Sequence, residues 1–284
     1  MKAAINRTLS RAIGYTLVKS DTLRTQRANL ERTQAKRERT QAKLERTQAT
    51  LAKATRPRKP GEPRHLDEEA KEIVRAVGDR TMTAAQKVFA LIEAVRYVVD
   101  SDVPGAIVEC GVWRGGSMQA VALTLLRRGV SDRDLHLYDT FEGMSEPTEE
   151  DLDLDGTPAA ELLATHPKTS AVWAIAGLDD VRAGMAETGY PAERIHYHVG
   201  RVEDTIPADA PEQIAILRLD TDWYASTRHE LEHLFHRVPS GGVVVFDDYG
   251  TWQGARQAVD EFLERTGTRL LMVPVGEGRL TLKP

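Results

Sequence analysis

Acidic side chains follow two apolar runs of the sequence, at the point where each run ends. Asp220 and Asp222 come after ILRL, and Asp247 and Asp248 come after GGVVVF. Such runs predict buried strands of a parallel sheet, and the ligand-binding crevice of an open parallel sheet lies beyond the carboxyl ends of its strands. We therefore expect the two pairs of carboxylates to meet at one edge of a sheet.

Carboxylates at adjacent strand ends repel one another unless a cation lies between them. The chemistry that fits Asp220, Asp247 and Asp248 is therefore the binding of a divalent metal. Magnesium suits an all-carboxylate, partly hydrated site better than zinc does. The alternative is that these acids cap helices and line the surface of the protein.

A glycine-rich loop, ECGVWRGGS, follows a short predicted strand and precedes a predicted helix. Backbone amides at a helix N-terminus favour an anionic or carboxylate group. The spacing places Glu109, Gly111, Gly115 and Gly116 in a pattern that differs from GxGxxG and is typical of S-adenosylmethionine enzymes. The next strand, LHLYD, ends at Asp139, where an acid receives ribose hydroxyls. Together these features predict a nucleoside-containing cofactor.

The composition indicates one sizeable α/β domain with an appendage, since the chain has 284 residues and 41% of them are hydrophobic. Residues 1–60 contain 16 Lys and Arg against 4 Asp and Glu, whereas the other 224 residues contain 22 against 39. The single cysteine, Cys110, excludes an internal disulfide. Basic residues interrupt the first apolar stretch, so we expect no signal peptide or membrane span and a cytoplasmic protein.

The basic segment repeats every seven residues, as ERTQAKR, ERTQAKL and ERTQATL. This period predicts a helical, coiled-coil arm over residues 1–55 that supports a homo-oligomer, with a lone solvated helix as the alternative. The first 20 residues also suit an anionic membrane surface, so peripheral contact at the inner membrane face is a second interpretation. Nucleic acid is disfavoured because the body is acidic. A proline-rich linker at 56–66 then leads to the folded domain at 67–284.

Three further motifs imitate metal sites. HELEH, from His229 to His233, matches a zinc pattern, but no third ligand is identifiable and a crossover helix is expected. DLDLDG imitates an EF-hand loop but has Leu162 where a glutamate is needed, so the acidic segment (residues 142–155) is predicted to be a solvated, mobile lid. In IHYHV, His196 and His198 share one face of a strand, and a packed edge strand is favoured over a metal pair.

The sequence resembles the macrocin O-methyltransferase family of metal- and S-adenosylmethionine-dependent enzymes, which methylate sugar hydroxyls. The resemblance rests on ordered blocks between Ile107 and Phe262: ECGVWRGGS, LYDTFEGM, DDVR, GRVEDTIP, LRLDTDWYAST, HELEHL and GGVVVFDDYGTWQGARQAVDEF. It implies a class I methyltransferase (Rossmann-like) α/β fold, with a mostly parallel sheet, one antiparallel strand near the C-terminus and helices on both faces. The helical arm and the tail after Phe262 depart from the family pattern.

The resemblance also implies roles for particular residues. Asp220, Asp247 and Asp248 match the metal-binding acids, and Asp222 matches the proposed general base. The cofactor-binding positions that it implies lie in the glycine loop and at the end of the second strand: Glu109, Gly111, Gly115, Ser117, Asp139 and Thr140.

The expected reaction is Mg²⁺-dependent methyl transfer from S-adenosylmethionine to a sugar hydroxyl of a glycosylated natural product or a cell-surface glycan. The basic arm favours a membrane-associated glycan as the acceptor. Three alternatives remain at this point: a catechol-type O-methyltransferase acting on an aromatic diol, an NAD-dependent oxidoreductase, and a non-catalytic scaffold with a methyltransferase-like body. The missing GxGxxG spacing disfavours the oxidoreductase.

Overall fold

The computed structural model describes residues 66–284. The predicted helical arm at 1–55 and nearly all of the linker at 56–66 lie outside the described residues, so the expectations of a coiled coil, self-association and membrane contact stay predictions. No helix between residues 66 and 284 combines the length and apolarity that crossing a bilayer requires.

Within residues 66–284, seven strands form one sheet in the order β3-β2-β1-β4-β5-β7-β6. Strands β1 to β5 pair in parallel, and β7 runs antiparallel to both β5 and β6. This arrangement confirms the mostly parallel sheet with an antiparallel strand near the C-terminus. The strands are β1 (Ala106–Cys110), β2 (Leu135–Asp139), β3 (Ile195–Val199), β4 (Ile214–Leu219), β5 (Val243–Phe246), β6 (Val273–Val275) and β7 (Gly278–Leu282).

Helices cover both faces of the sheet. The α-helices between residues 66 and 284 are α1 (Glu68–Val77), α2 (Ala85–Asp100), α3 (Gly116–Arg127), α4 (Ala159–Thr165), α5 (Leu178–Glu187), α6 (Val202–Thr205), α7 (Tyr224–Leu234) and α8 (Gln253–Thr266). Side chains of a strand alternate between its two faces. In β1, Ile107 therefore joins the core formed with α2, α3 and α5, whereas Val108 joins the core formed with α7 and α8.

The helices α1 and α2 hold the loop between them against the functional edge of the sheet. Asp67 caps α1 by accepting a hydrogen bond from the amide of Ala70 at 2.8 Å, as expected for an Asp at an N-cap. The side chain of Arg96, on α2, ion-pairs with Asp67 and Glu69. These contacts fix the two helices together, and the connecting loop reaches the carboxyl ends of the central strands.

The ends of β1 and β4 approach each other closely. Gly111 has a φ of +85°, and a Cβ atom at this position would lie 1.9 Å from the carbonyl oxygen of Asp220. Only glycine fits here, because a side chain would occupy the space of that backbone. The strand order reverses between β1 and β4, which is where an open α/β sheet binds its ligand.

Candidate active site

A cavity of about 390 Å³ lies beyond the carboxyl ends of the central strands, a size typical of small-molecule sites. The loops after β1, β2, β4 and β5 and the loop between α1 and α2 contribute to its wall. Its lining includes seven of the predicted site residues: Gly111, Asp139, Thr140, Asp220, Asp222, Asp247 and Asp248.

Three of the predicted acids converge at the ends of β4 and β5. One carboxylate oxygen from each of Asp220, Asp247 and Asp248 lies within 4.8 Å of the other two. Leu219 and Phe246, the last residues of the two strands, are paired in register, so the acids that follow them are neighbours. Of the side chains in residues 66–284, these three form the one group of three or more metal-ligating residues that could hold an ion.

Two basic side chains already meet part of this negative charge. The guanidinium of Arg218, in β4, ion-pairs with Glu109, with Asp220 at 2.7 Å and with Asp247 at 2.8 Å. The ammonium of Lys87, on α2, lies 2.8 Å from the second carboxylate oxygen of Asp247. Asp247 is therefore bound by cations on both oxygens.

The remaining negative charge is not fully compensated. Burial raises the pKa of Asp220 well above its usual range, and Arg218 offsets this only in part. Burial and neighbouring carboxylates likewise raise the pKa of Asp248. Burial opposes the ionisation of Asp247 too, but Arg218 and Lys87 outweigh it and hold the pKa of Asp247 below its usual value. A further cation would therefore stabilise the ionised forms of Asp220 and Asp248.

Asp222 occupies an unusual backbone position beside the three acids. Its φ is +67°, in the left-handed region that Asp tolerates better than most residues. Its amide donates to a carboxylate oxygen of Asp248 at 3.2 Å, and the indole N–H of Trp252 donates to its Oδ1 at 2.7 Å. Burial and the adjacent Asp220 raise the pKa of Asp222 to about 7, a value suited to a general base at neutral pH.

The amides of the glycine loop face a carboxylate that belongs to the protein itself. Asp139 Oδ2 accepts hydrogen bonds from the amides of Val112 at 2.6 Å and Trp113 at 3.0 Å. Its other oxygen accepts from the amide of Phe141 at 2.7 Å. Asp139 thus fixes the loop, and the lone pairs that these three bonds leave are available at the cavity wall.

Three of the predicted cofactor-binding residues do not line the cavity. Glu109 is buried and paired with Arg218. Gly115, with a φ of +80°, precedes α3, and Ser117 is buried in its first turn. Their positions suit support of the loop rather than direct contact with a ligand in the cavity.

The acidic segment is partly buried, contrary to the prediction of a solvated lid. Asp151 is fully buried. Its carboxylate accepts hydrogen bonds from the amide and hydroxyl of Thr148 and from the amide of Tyr224, the first residue of α7, and these bonds compensate for the loss of water. Asp153 Oδ1 accepts from the amides of Asp155 and Thr157, which closes a tight turn in place of an EF-hand loop.

The histidines of the HELEH and IHYHV motifs contact other residues of the fold. His229 lies in α7, the helix that the sequence predicts, and its ring lies 2.9 Å from the carbonyl oxygen of Ile206. The edge strand β3 places His196 and His198 on one face, as predicted. The Nε2 atom of His198 lies 3.0 Å from Nδ1 of His136, so these two rings hydrogen-bond directly.

Several residues that contact the predicted acids were not found from the sequence. Arg218 could have been found, since a charged residue inside a predicted buried strand requires a counter-charge. Lys87 and Trp252 left none, because their contacts with Asp247 and Asp222 join residues far apart in the chain.

The strand order, the glycine loop after β1 and the acid at the end of β2 define a class I methyltransferase fold. The family model of the macrocin O-methyltransferases (TylF) matches residues 11–275. The chain belongs to this family and is an S-adenosylmethionine-dependent O-methyltransferase. Because the match begins at residue 11, it includes most of the basic arm, and the prediction that the arm lies outside the family pattern is wrong. Part of the tail after Phe262 also falls within the match.

Three relatives have named reactions. Demethyldecarbamoylnovobiocin O-methyltransferase of Streptomyces niveus is 31% identical over 70% of this chain and 75% of its own length. The 8-demethyl-8-(2,3-dimethoxy-alpha-L-rhamnosyl)-tetracenomycin-C 4'-O-methyltransferase of Streptomyces olivaceus is 33% identical over 66% of this chain and 69% of its own length. Mycinamicin III 3''-O-methyltransferase of Micromonospora griseorubida is 30% identical over 66% and 71%.

Solved structures share the fold. The O-methyltransferase NovP superposes with a TM-score of 0.64 and 28% identity, covering 75% of this chain and 88% of its own. The calicheamicin methyltransferase CalS11 superposes with a TM-score of 0.54 and 19% identity, covering 76% and 91%. The family membership favours a methyltransferase over the oxidoreductase and the idle scaffold.

Proposed function

We propose that this enzyme transfers a methyl group to a sugar hydroxyl of a glycosylated natural product or a cell-surface glycan, with Mg²⁺ bound at Asp220, Asp247 and Asp248. The convergence of these three carboxylates within 4.8 Å, beside Asp222 in the same cavity, carries the proposal. The reactions of the relatives support a sugar-bearing acceptor, since one relative is a 4'-O-methyltransferase of a rhamnosyl compound. We also propose that the chain works as a homo-oligomer, for which the heptad arm is the sequence support.

The donor set fits a hard divalent cation. It consists of carboxylate oxygens alone, and the pKa values of Asp220 and Asp248 are raised first by burial and then by neighbouring carboxylates, which Arg218 and Lys87 offset only in part. Mg²⁺ prefers oxygen ligands in octahedral geometry and keeps several waters. When bound, the cation would lower the proton affinity of an acceptor hydroxyl.

The residues of the chain would perform the proton transfer and the alignment. Bound S-adenosylmethionine would supply the methyl group and leave as S-adenosylhomocysteine. Asp222 would take the proton of the acceptor hydroxyl as that oxygen becomes a methyl ether, and would end as a protonated carboxyl. Gly111 permits the close approach of the β1 and β4 loops, and the fixed geometry of the cavity would hold oxygen, carbon and sulfur in line.

The test combines metal binding with acceptor choice. Calorimetry should detect Mg²⁺ binding to the wild type, lost in Asp248→Asn and kept in Asp132→Asn, an exposed Asp ahead of β2. Chelator should abolish methyl transfer to a deoxysugar glycoside, and Mg²⁺ should restore it. Full turnover in chelator would overturn the metal site, and faster turnover of a catechol than of any glycoside would overturn the sugar acceptor. Neither result would contradict the assignment as a methyltransferase, which rests on family membership.

A further inference from the structure

We propose that Trp252 is a positioning residue that holds the carboxylate of Asp222 and couples it to the acidic segment. The inference rests on the proposed role of Asp222 as the base. The indole nitrogen of Trp252 donates to Asp222 Oδ1 at 2.7 Å. Trp252 is half-buried and does not line the cavity, so it acts on the reaction through Asp222.

Asp222 requires such a donor because the cations of the site are engaged elsewhere. Arg218 donates to Glu109 and Asp247, and Lys87 donates to Asp247. The carboxylate of Asp222 lines the same cavity as the three other acids, and the Asp222 amide donates to a carboxylate oxygen of Asp248 at 3.2 Å. A neutral N–H that binds Oδ1 fixes the rotamer of Asp222, and it leaves Oδ2 to receive a proton.

The position of Trp252 is set by contacts on two sides. Its amide donates at 3.0 Å to the backbone carbonyl of Asp248, which is itself a proposed metal ligand. It also forms an antiparallel bridge with Asp153 of the acidic segment. The following residue, Gln253, strengthens this link, because its amide donates to the carbonyl of Leu152 at 2.8 Å.

A second indole packs against the first and has a different partner. The rings of Trp223 and Trp252 form an edge-to-face pair with centroids 5.0 Å apart and an interplanar angle of 73°. The N–H of Trp223 donates to the carbonyl of Ser145 at 3.0 Å, and Ser145 lines the cavity. One indole therefore binds the base, while its neighbour binds the segment that forms the cavity wall.

The two partners predict separable kinetic effects. Loss of the Trp252 N–H frees the base to rotate while the cavity wall stays in place, so turnover should fall without a change in binding. Loss of the Trp223 N–H loosens the wall, so acceptor binding should weaken while the base stays held. A misplacement of a catalytic group by about 1 Å costs roughly a hundredfold in rate, which sets the scale.

Trp252→Phe keeps an aromatic ring and removes the donor, and Trp223→Phe is the matched control. For Trp252→Phe we expect kcat to fall roughly ten- to a hundredfold, with acceptor KM, the S-adenosylmethionine Kd and Tm near wild-type values. For Trp223→Phe we expect a higher acceptor KM and a kcat within about threefold of wild type. If the Phe variant misfolds, Trp252→3-benzothienylalanine keeps the two-ring shape and replaces the N–H by sulfur.

Asp222→Asn separates failure of this inference from failure of the proposed base. Inactive Asp222→Asn together with a wild-type kcat for the Trp252 variants would overturn the positioning role alone. Wild-type turnover in Asp222→Asn would overturn the base assignment itself. If both roles hold, the double variant should be no slower than Asp222→Asn, because two residues that act as one unit are not additive.

Discussion

At the scale of single residues, the buried carboxyl groups near the cavity differ in the ion pairs and hydrogen bonds that stabilise them. Glu109 is ion-paired with Arg218, yet burial still raises its pKa to about 7. Glu230, on α7, accepts one hydrogen bond, from the hydroxyl of Thr221 at 2.9 Å, and within residues 66–284 its second oxygen has no hydrogen-bond partner. Burial raises the pKa of Glu230 well above its usual range, and we therefore expect this group to be neutral in the native protein.

Replacing Glu230 with Gln should therefore stabilise the protein more as the pH rises. A carboxyl whose native pKa is raised binds its proton more tightly in the folded state than in the unfolded state. Its contribution to the free energy of unfolding is full below the ordinary value of 4.5 and declines as the pH rises above it. Gln has no such proton, so the difference in unfolding free energy, variant minus wild type, should increase from pH 5 to pH 8.

Denaturant titrations at several pH values measure that difference. Glu264→Gln, an exposed position on α8, is the control and should show a nearly constant difference. A constant difference for Glu230→Gln as well would mean that Glu230 is ionised in the native state.

At the scale of elements, the acidic segment is fastened to α7 by a buried side chain. Asp151 accepts two hydrogen bonds from Thr148 and one from the amide of Tyr224 at 2.7 Å, at the N-terminus of the helix. A carboxylate at that end also interacts favourably with the helix dipole. The helix that follows Asp220 and Asp222 and the segment that lines the cavity are therefore joined at one residue.

Asp151→Asn should loosen that junction. The single amide oxygen of Asn can face either Thr148 or the amide of Tyr224, so at least one of the three hydrogen bonds would be lost, at a cost of about 2 kcal/mol of unfolding free energy. Acceptor KM should rise as the cavity wall loosens. The control Asp155→Asn, at an exposed position of the same segment, should stay within about 0.5 kcal/mol of wild type. Equal stability of the two variants, measured in denaturant, would contradict the anchoring role.

The elements that the sequence predicts well are those with strong local patterns. The apolar run Val243–Phe246 and the alternating run Ile195–Val199 coincide with β5 and β3. The prediction that the acidic segment is fully solvated is wrong, because the partner that helps to bury Asp151 cannot be read from the local sequence. Tyr224 lies 73 residues from Asp151. The same limit hid Lys87, which is 160 residues from Asp247. Local pattern thus positions the acids, whereas the cations and indoles that set their chemistry come from tertiary contacts.

At the scale of the whole molecule, charge is divided along the chain. The first 60 residues carry a net +12 and the remaining 224 a net −17. Residues 66–284 contain the seven-stranded sheet and the two cores that flank it. Attraction to an anionic surface should therefore come from the arm, because the domain itself would be repelled.

Removal of residues 1–59 should abolish binding to anionic vesicles and leave S-adenosylmethionine binding intact. Each Lys or Arg near an anionic surface contributes about 1 kcal/mol, and residues 1–59 contain 16 Lys and Arg against 4 Asp and Glu. Co-sedimentation with vesicles containing phosphatidylserine should retain the full chain at low salt and release it at high salt, since the attraction is screened. Neutral phosphatidylcholine vesicles are the control. Equal sedimentation of the shortened chain would place the membrane contact on the domain. Failure of the full chain to sediment would contradict membrane contact, and self-association would then be the remaining interpretation of the arm.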